Sequence, residues 1–184
     1  MDIPITYIPN FVDNPTETFN TLWNELDWVR VGQTPRREYY CHDTGQDYTY
    51  GSGRGVRTYE AQPYHPALLA TRHKLEDLTG VAFEVLFLNG YADARDHLGL
   101  HRDFSDSKRP IAIVSLGGER DITFVRNEDV KDKSKRAKVR LQHGSLCLML
   151  PGMQETWMHG ILKAGFEVPA RISETFRGDA GTAV

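Results

Sequence analysis

VAFEVLFLNGY (residues 81–91), PIAIVSLG (110–117) and ARISETFR (170–177) decide the fold of this chain. Each is short, rich in β-branched and aromatic side chains, and bounded by turn-forming residues, which is the pattern of a strand. DITFVR (121–126), AKVRL (137–141) and SLCLML (145–150) fill the intervals between them. From Gly80 onward the chain therefore reads as a succession of β-strands, and such a series predicts a sandwich or jelly roll.

The first half reads differently. Asn14, Pro15 and Glu17 have the spacing of a helix start, with Asn as N-cap and Pro at the first helical position. Phe19, Leu22, Trp23 and Leu26 then recur at helical spacing, so a helix is predicted over about 14–26. A second helix starts near Pro66, carries Leu68, Leu69, Arg72, Leu75 and Leu78, and stops at Gly80. Residues 31–63, rich in Tyr, Gly and Arg without a long apolar run, read as a surface hairpin or lid. No internal repeat appears, and 184 residues suit one domain over 1–184.

Whole-chain properties narrow the setting. A formal net charge of −3 gives no global basic field of the kind that marks many nucleic-acid binders. Locally, residues 131–140 gather Lys131, Lys133, Lys135, Arg136, Lys138 and Arg140 against Asp132 alone, a solvated loop or a phosphate-binding patch. The opening residues lack the basic start and apolar run of a secretory signal, and no stretch has the length of a bilayer span. A cytoplasmic or nuclear location without membrane association is expected, with Cys41 and Cys147 as free thiols.

Chemistry concentrates in two places. In LGLHRDFSD, His101 and Asp103 are separated by one residue, so on a strand both side chains leave the same face. With His159 of WMHGI they would supply two imidazoles and one carboxylate, a set that caps one face of non-haem Fe(II) and leaves the other open. Taken alone, His-x-Asp is weak, since such pairs often lie on solvated strand edges. The second signal is independent of the first: Arg171, Ser173, Thr175 and Arg177 alternate along one strand and share a face. Two inward guanidiniums need anionic partners, and a dicarboxylate supplies them in the geometry for which Arg is suited.

With these residues in place, the sequence resembles the AlkB family of Fe(II)/2-oxoglutarate dioxygenases over about residues 35–177. The resemblance rests on an ordered set: Asn89-Gly90-Tyr91, DHLGLHRD, PIAIVSLGGERDITF, LQHGSLCLML, WMHGI and RISETFR. PRREYY followed by YTYGSG is similar to the lid of members that repair alkylated nucleic acids.

The resemblance implies a double-stranded β-helix, or jelly roll, buttressed by the two N-terminal helices, with 31–63 as a nucleotide-recognition lid. It implies Fe(II) held by His101, Asp103 and His159. It implies 2-oxoglutarate near Asn89, Tyr91, Arg171, Ser173 and Arg177, with O2 as the other cosubstrate. The implied activity is demethylation of N-alkylated bases in DNA or RNA, releasing formaldehyde, succinate and CO2, by a monomer. Tyr39, Tyr40, Tyr48, Tyr50, Arg54, Ser105, Lys133 and Arg136 are the expected substrate contacts.

Two departures stand out. Ser173 occupies a position where the family commonly has Asn, and Ser105 one where repair members often carry an acid that reads the damaged base. Two other readings remain open: the same chemistry on a protein or modified RNA, and a non-catalytic nucleic-acid-binding jelly roll.

Overall fold

The computed structural model describes residues 2–50 and 56–179. Its larger sheet has six strands in the spatial order β1 (Ile5–Ile8), β10 (Ser145–Met149), β7 (Ile111–Gly117), β12 (Arg171–Arg177), β5 (Val85–Tyr91) and β2 (Arg37–His42). A smaller sheet orders β6 (Leu98–His101), β11 (Trp157–Ile161), β8 (Arg120–Arg126) and β9 (Ala137–Leu141). All strand pairs are antiparallel among the described residues, and the two sheets with flanking helices form the expected jelly roll.

Both N-terminal helices form where the apolar spacing puts them: α1 spans Pro15–Glu25 and α2 Pro66–Thr79. Gly80 closes α2 in the left-handed conformation, while His65 caps its start by accepting the Ala67 N–H on Nδ1. Leu22 and Leu26 of the first helical segment and Leu68 and Leu75 of α2 lie in one core with Leu86, Leu88, Val114, Ile172 and Phe176 of the large sheet. The opposite face of that sheet meets the small sheet through Ile113, Ile122, Phe124, Leu141 and Trp157. β5 and β12 are thus covered on both sides, and all seven residues of each are buried.

That double burial traps one acid. Glu174 stands across from Leu88 and Val114 on the helix-facing side of β12, fully buried. Neither carboxylate oxygen has a hydrogen-bond partner among the described residues, because the nearby Thr71 hydroxyl donates to the Ala67 carbonyl. Burial pushes the Glu174 carboxyl up to about 8.

The segment 31–63 is not a lid throughout. Its residues 37–42 are β2, the edge strand of the large sheet, in register with Val85–Gly90 of β5. Cys41 is therefore not in a polar loop but in the core. Cys41 and Cys147 are both free and buried, and burial pushes each thiol up to about 12. Among the described residues of the segment, β3 (Tyr48–Tyr50) and β4 (Arg57–Tyr59) pair as a separate two-stranded hairpin. No helix among the described residues is long and apolar enough to cross a membrane.

Candidate active site

His101 is the last residue of β6, and the β6–β11 register sets it directly across from His159. The pairing shifts just beyond, between His159 and Ile161. Gly160 makes this close approach possible, since a Cβ there would sit 2.8 Å from the carbonyl oxygens of Leu98 and Gly99. Asp103 follows in the loop after β6. Its backbone N–H donates to Gln154 Oε1 at 2.8 Å, and Gln154 belongs to α3 (Met153–Thr156), the short helix that leads straight into β11. One side chain thereby ties the Asp103 loop to the element carrying His159.

The ligand-type atoms of His101, Asp103 and His159 all lie within 4.8 Å of one another. Asp103 Oδ1 is 3.7 Å from His101 Nε2, and Oδ2 is 3.3 Å from His159 Nε2. Two imidazoles and one carboxylate this close together are a donor set that suits a first-row divalent ion. The Gly99 carbonyl, which only accepts, lies 2.9 Å from His101 Nδ1. It fixes the proton there and leaves Nε2 as a lone pair facing Asp103.

Electrostatics favour the same use. Burial holds His159 below its ordinary value, with His101 adding to the effect and Asp103 opposing it, so the imidazole stays neutral as a ligand must. For Asp103, burial opposes ionisation, but the neighbouring imidazoles of His101 and His159 and the charge of Arg177 outweigh it and hold the carboxyl well below its usual range. Asp103 Oδ2 is buried without a hydrogen-bond partner among the described residues. A divalent cation fits this donor set.

Beside the trio, the larger sheet presents a row of polar side chains. Glu38, Asn89, Ser173, Ser115 and Ser145 are consecutive register partners across β2, β5, β12, β7 and β10, so all five project to the inner face. Arg171 reaches over this row from β12, donating to Ser115 Oγ at 2.8 Å, with its guanidinium 5.3 Å from the Tyr91 ring. It is fully buried, and its Nε and Nη1 have no acceptor among the described residues. Burial brings Arg171 down to about 10, so it stays charged at neutral pH. Arg177, at the other end of the strand, donates weakly to Asp103 Oδ1 at 3.4 Å and leaves its Nε without a partner among the described residues. Two charged, buried and under-satisfied guanidiniums fit a small dicarboxylate.

A cavity of about 320 Å³ is lined by His101, Asp103, His159, Asn89, Ser173 and Arg177; Arg171 is off its wall, 5.3 Å from the ring of Tyr91, which is on it. Tyr48 and Tyr50 of the hairpin reach its wall. Other expected contacts do not. Tyr39 is buried on the helix side with its hydroxyl donating to the Pro63 carbonyl, and Tyr40 is buried against Tyr59, Val85 and Phe87. Both belong to β2, whose burial the polar, Tyr-rich composition concealed. Ser105 is off the cavity wall, and the side chain there is Phe104, 49% exposed. Lys133 lies in a short 3-10 turn before β9 and Arg136 just after it, both away from the cavity. Arg54 falls outside the described residues.

Residues that the sequence reading did not place here are Glu38, Tyr59, Phe104 and Gln154. Of these, Glu38 does carry a signal: with Arg36 and Tyr40 it alternates just after Pro35, the period of a strand with one inward face.

The 2OG-Fe(II) oxygenase superfamily model matches residues 6–177. Curated relatives include DNA oxidative demethylase ALKBH2 of Bos taurus, 34% identical over 153 residues, covering 78% of this chain and 52% of that protein. The Mus musculus ALKBH2 is 33% identical, covering 78% of this chain and 61% of its own length. Alpha-ketoglutarate-dependent dioxygenase alkB homolog 3 of Bos taurus is 30% identical over 188 residues, covering 92% and 64% respectively. The chain thus spans between about half and two thirds of these relatives. Among solved structures, that of OsALKBH1 matches with a TM-score of 0.65 at 14% identity, covering 97% of this chain and 98% of that one, a likeness of fold.

Proposed function

The chain belongs to the AlkB family of the 2OG-Fe(II) oxygenase superfamily, and from that premise we propose that it oxidatively demethylates N-alkylated bases in DNA or RNA. The observation that carries this reading is the convergence, in one cavity, of His101, Asp103 and His159 with the under-satisfied guanidinium of Arg177, the second such guanidinium, Arg171, lying 5.3 Å from the ring of Tyr91 on the cavity wall. A metal site alone would suit many hydrolases. A metal site beside a dicarboxylate cradle suits a 2-oxoglutarate oxygenase.

His101, Asp103 and His159 would hold Fe(II), and Arg171, with Ser173, Asn89 and Tyr91, the 2-oxoglutarate. Bound together with O2, these groups supply the oxidation of an N-methyl carbon, which leaves as formaldehyde while the cosubstrate leaves as succinate and CO2. The protein's own residues do the rest. His101 keeps its Nδ1 proton on the Gly99 carbonyl and so presents a fixed lone pair. Arg177 donates to Asp103 Oδ1 and, with its guanidinium 5.8 Å over the Tyr48 ring, links the metal end to the hairpin. Tyr50, 58% exposed, and Phe104 flank the mouth with flat apolar surfaces of the kind on which an extruded base stacks.

The test is release of formaldehyde and succinate from short methylated DNA and RNA oligonucleotides in the presence of Fe(II), 2-oxoglutarate and O2. Formaldehyde in step with succinate supports the reading. Succinate without formaldehyde from any methylated oligonucleotide would redirect it to a protein substrate, a reading that the absence of an acid at Ser105 favours. Neither product would leave a binding module.

A further inference from the structure

Next to the cavity, away from the metal trio, a buried chain of polar contacts ends on Asn89, and its other members, Tyr59, Glu38 and Arg36, have no part in the proposed chemistry. The Tyr59 hydroxyl donates to Glu38 Oε2 at 3.1 Å, and Glu38 Oε1 accepts from Arg36 Nη2 at 2.6 Å. Arg36 Nε donates to Asn89 Oδ1 at 2.5 Å, and its Nη1 to the His97 carbonyl at 3.3 Å. Glu38 is fully buried and touches no open cavity surface, while Arg36, Tyr59 and Asn89 all reach the wall. A guanidinium only donates, so the Asn89 atom facing Arg36 is its oxygen, and the amide Nδ2 is left for the cavity.

We infer that Glu38 is a positioning residue: by clamping Arg36 it fixes the Asn89 amide with its N–H2 toward the cavity, as a donor to 2-oxoglutarate. The inference rests on the reading of this cavity as a 2-oxoglutarate site. Two physical points carry it. A buried carboxylate is costly unless paired and hydrogen-bonded, and here both contacts of Glu38 go to side chains on the cavity wall. Arg36 would otherwise be a third guanidinium beside Arg171 and Arg177, at liberty to draw the dicarboxylate out of its cradle. Paired to Glu38, it is neutralised and committed to Asn89. Burial raises the Glu38 carboxyl while Arg36 and the Tyr59 hydroxyl pull it down, as expected for a pair formed inside the protein.

The experiment is anaerobic calorimetric titration of 2-oxoglutarate into the metal-loaded protein, for the parent, Glu38→Gln, Asn89→Ala and the double variant. Each single change should weaken binding roughly tenfold, the scale of one charge-assisted hydrogen bond. If Glu38 acts through Asn89, the double variant binds no more weakly than Asn89→Ala alone. A general loosening of the fold would instead make the losses multiply, and that result overturns the inference, as does parental affinity in Glu38→Gln. Should Glu38→Gln fail to fold, Arg36→Gln/Glu38→Gln replaces the charge pair by two neutral groups of similar shape, and it must show the same tenfold loss. Absence of 2-oxoglutarate binding by the parent is a different outcome: it removes the cavity reading itself, and this inference with it.

Discussion

At Asp103, substitution by Ala removes the one anionic ligand from a site at the edge of the cavity rather than in the core. Iron binding and turnover should be lost while circular dichroism and thermal midpoint stay near the parent's. Full activity with stoichiometric iron in Asp103→Ala would rule out the metal assignment. Arg171 poses a different balance: without a ligand it is a buried charge whose Nε and Nη1 lack acceptors among the described residues. Any dicarboxylate that satisfies it must stabilise the native state, by about 2.7 kcal/mol at a hundred times the dissociation constant. 2-Oxoglutarate should therefore raise the melting temperature of the parent by several degrees and that of Arg171→Ala scarcely at all. Equal shifts in both proteins would place the cosubstrate elsewhere.

Among the elements, β12 makes a prediction from each of its faces. On the helix-facing side, the folded-state value of Glu174 near 8 lies above the unfolded value near 4.5, so the native state binds the extra proton between those pH values. Its contribution to stability is full below pH 4.5, falls by about 1.4 kcal/mol per unit as pH rises, and levels off above 8. Glu174→Gln abolishes that decline, so its stability advantage over the parent should be larger at pH 8 than at pH 5 in denaturant titrations. An advantage that is the same at both pH values would contradict the buried, protonated acid.

On the inner side, the strand faces the hairpin, and there Tyr48 and Tyr50 differ from Tyr39 and Tyr40. Tyr48→Ala or Tyr50→Ala should lower turnover of a methylated oligonucleotide about tenfold, the worth of one stacked base, with succinate formation retained. Tyr39→Ala and Tyr40→Ala should instead cost roughly 3–5 kcal/mol of stability, as buried aromatic truncations do. Demethylation that survives in both Tyr48→Ala and Tyr50→Ala would take the base off the hairpin.

These elements also mark what the sequence made legible. The alternation of Arg171, Ser173, Thr175 and Arg177 could be read because one face of the strand carries charge, and α1 and α2 because their apolar residues recur at helical spacing. β2 was hidden because Glu38 and Arg36 look solvated until each is seen to satisfy the other. Only the register with β5 brings them beside Asn89.

On the scale of the whole molecule, a chain of net charge −3 must gather phosphate locally if it binds nucleic acid. Within 131–140, Lys135 is engaged by Asp129 and Arg140 by Asp121, whereas Lys131, Lys133 and Lys138 form no ion pair among the described residues. Replacing those three with Ala should weaken oligonucleotide binding and flatten its dependence on salt, by a slope of about 0.7 to 0.9 for each phosphate no longer neutralised. An unchanged slope would mean that the backbone runs over another face.

The two thiols bear on a hazard that comes with this kind of catalyst. An iron oxygenase whose cosubstrate turns over without a target generates oxidants within its own walls, and cysteine is attacked as the thiolate. Cys41 and Cys147, both buried and held near 12, present almost no thiolate at neutral pH. The fold thus keeps both cysteine sulfurs in the thiol form that peroxide attacks slowly.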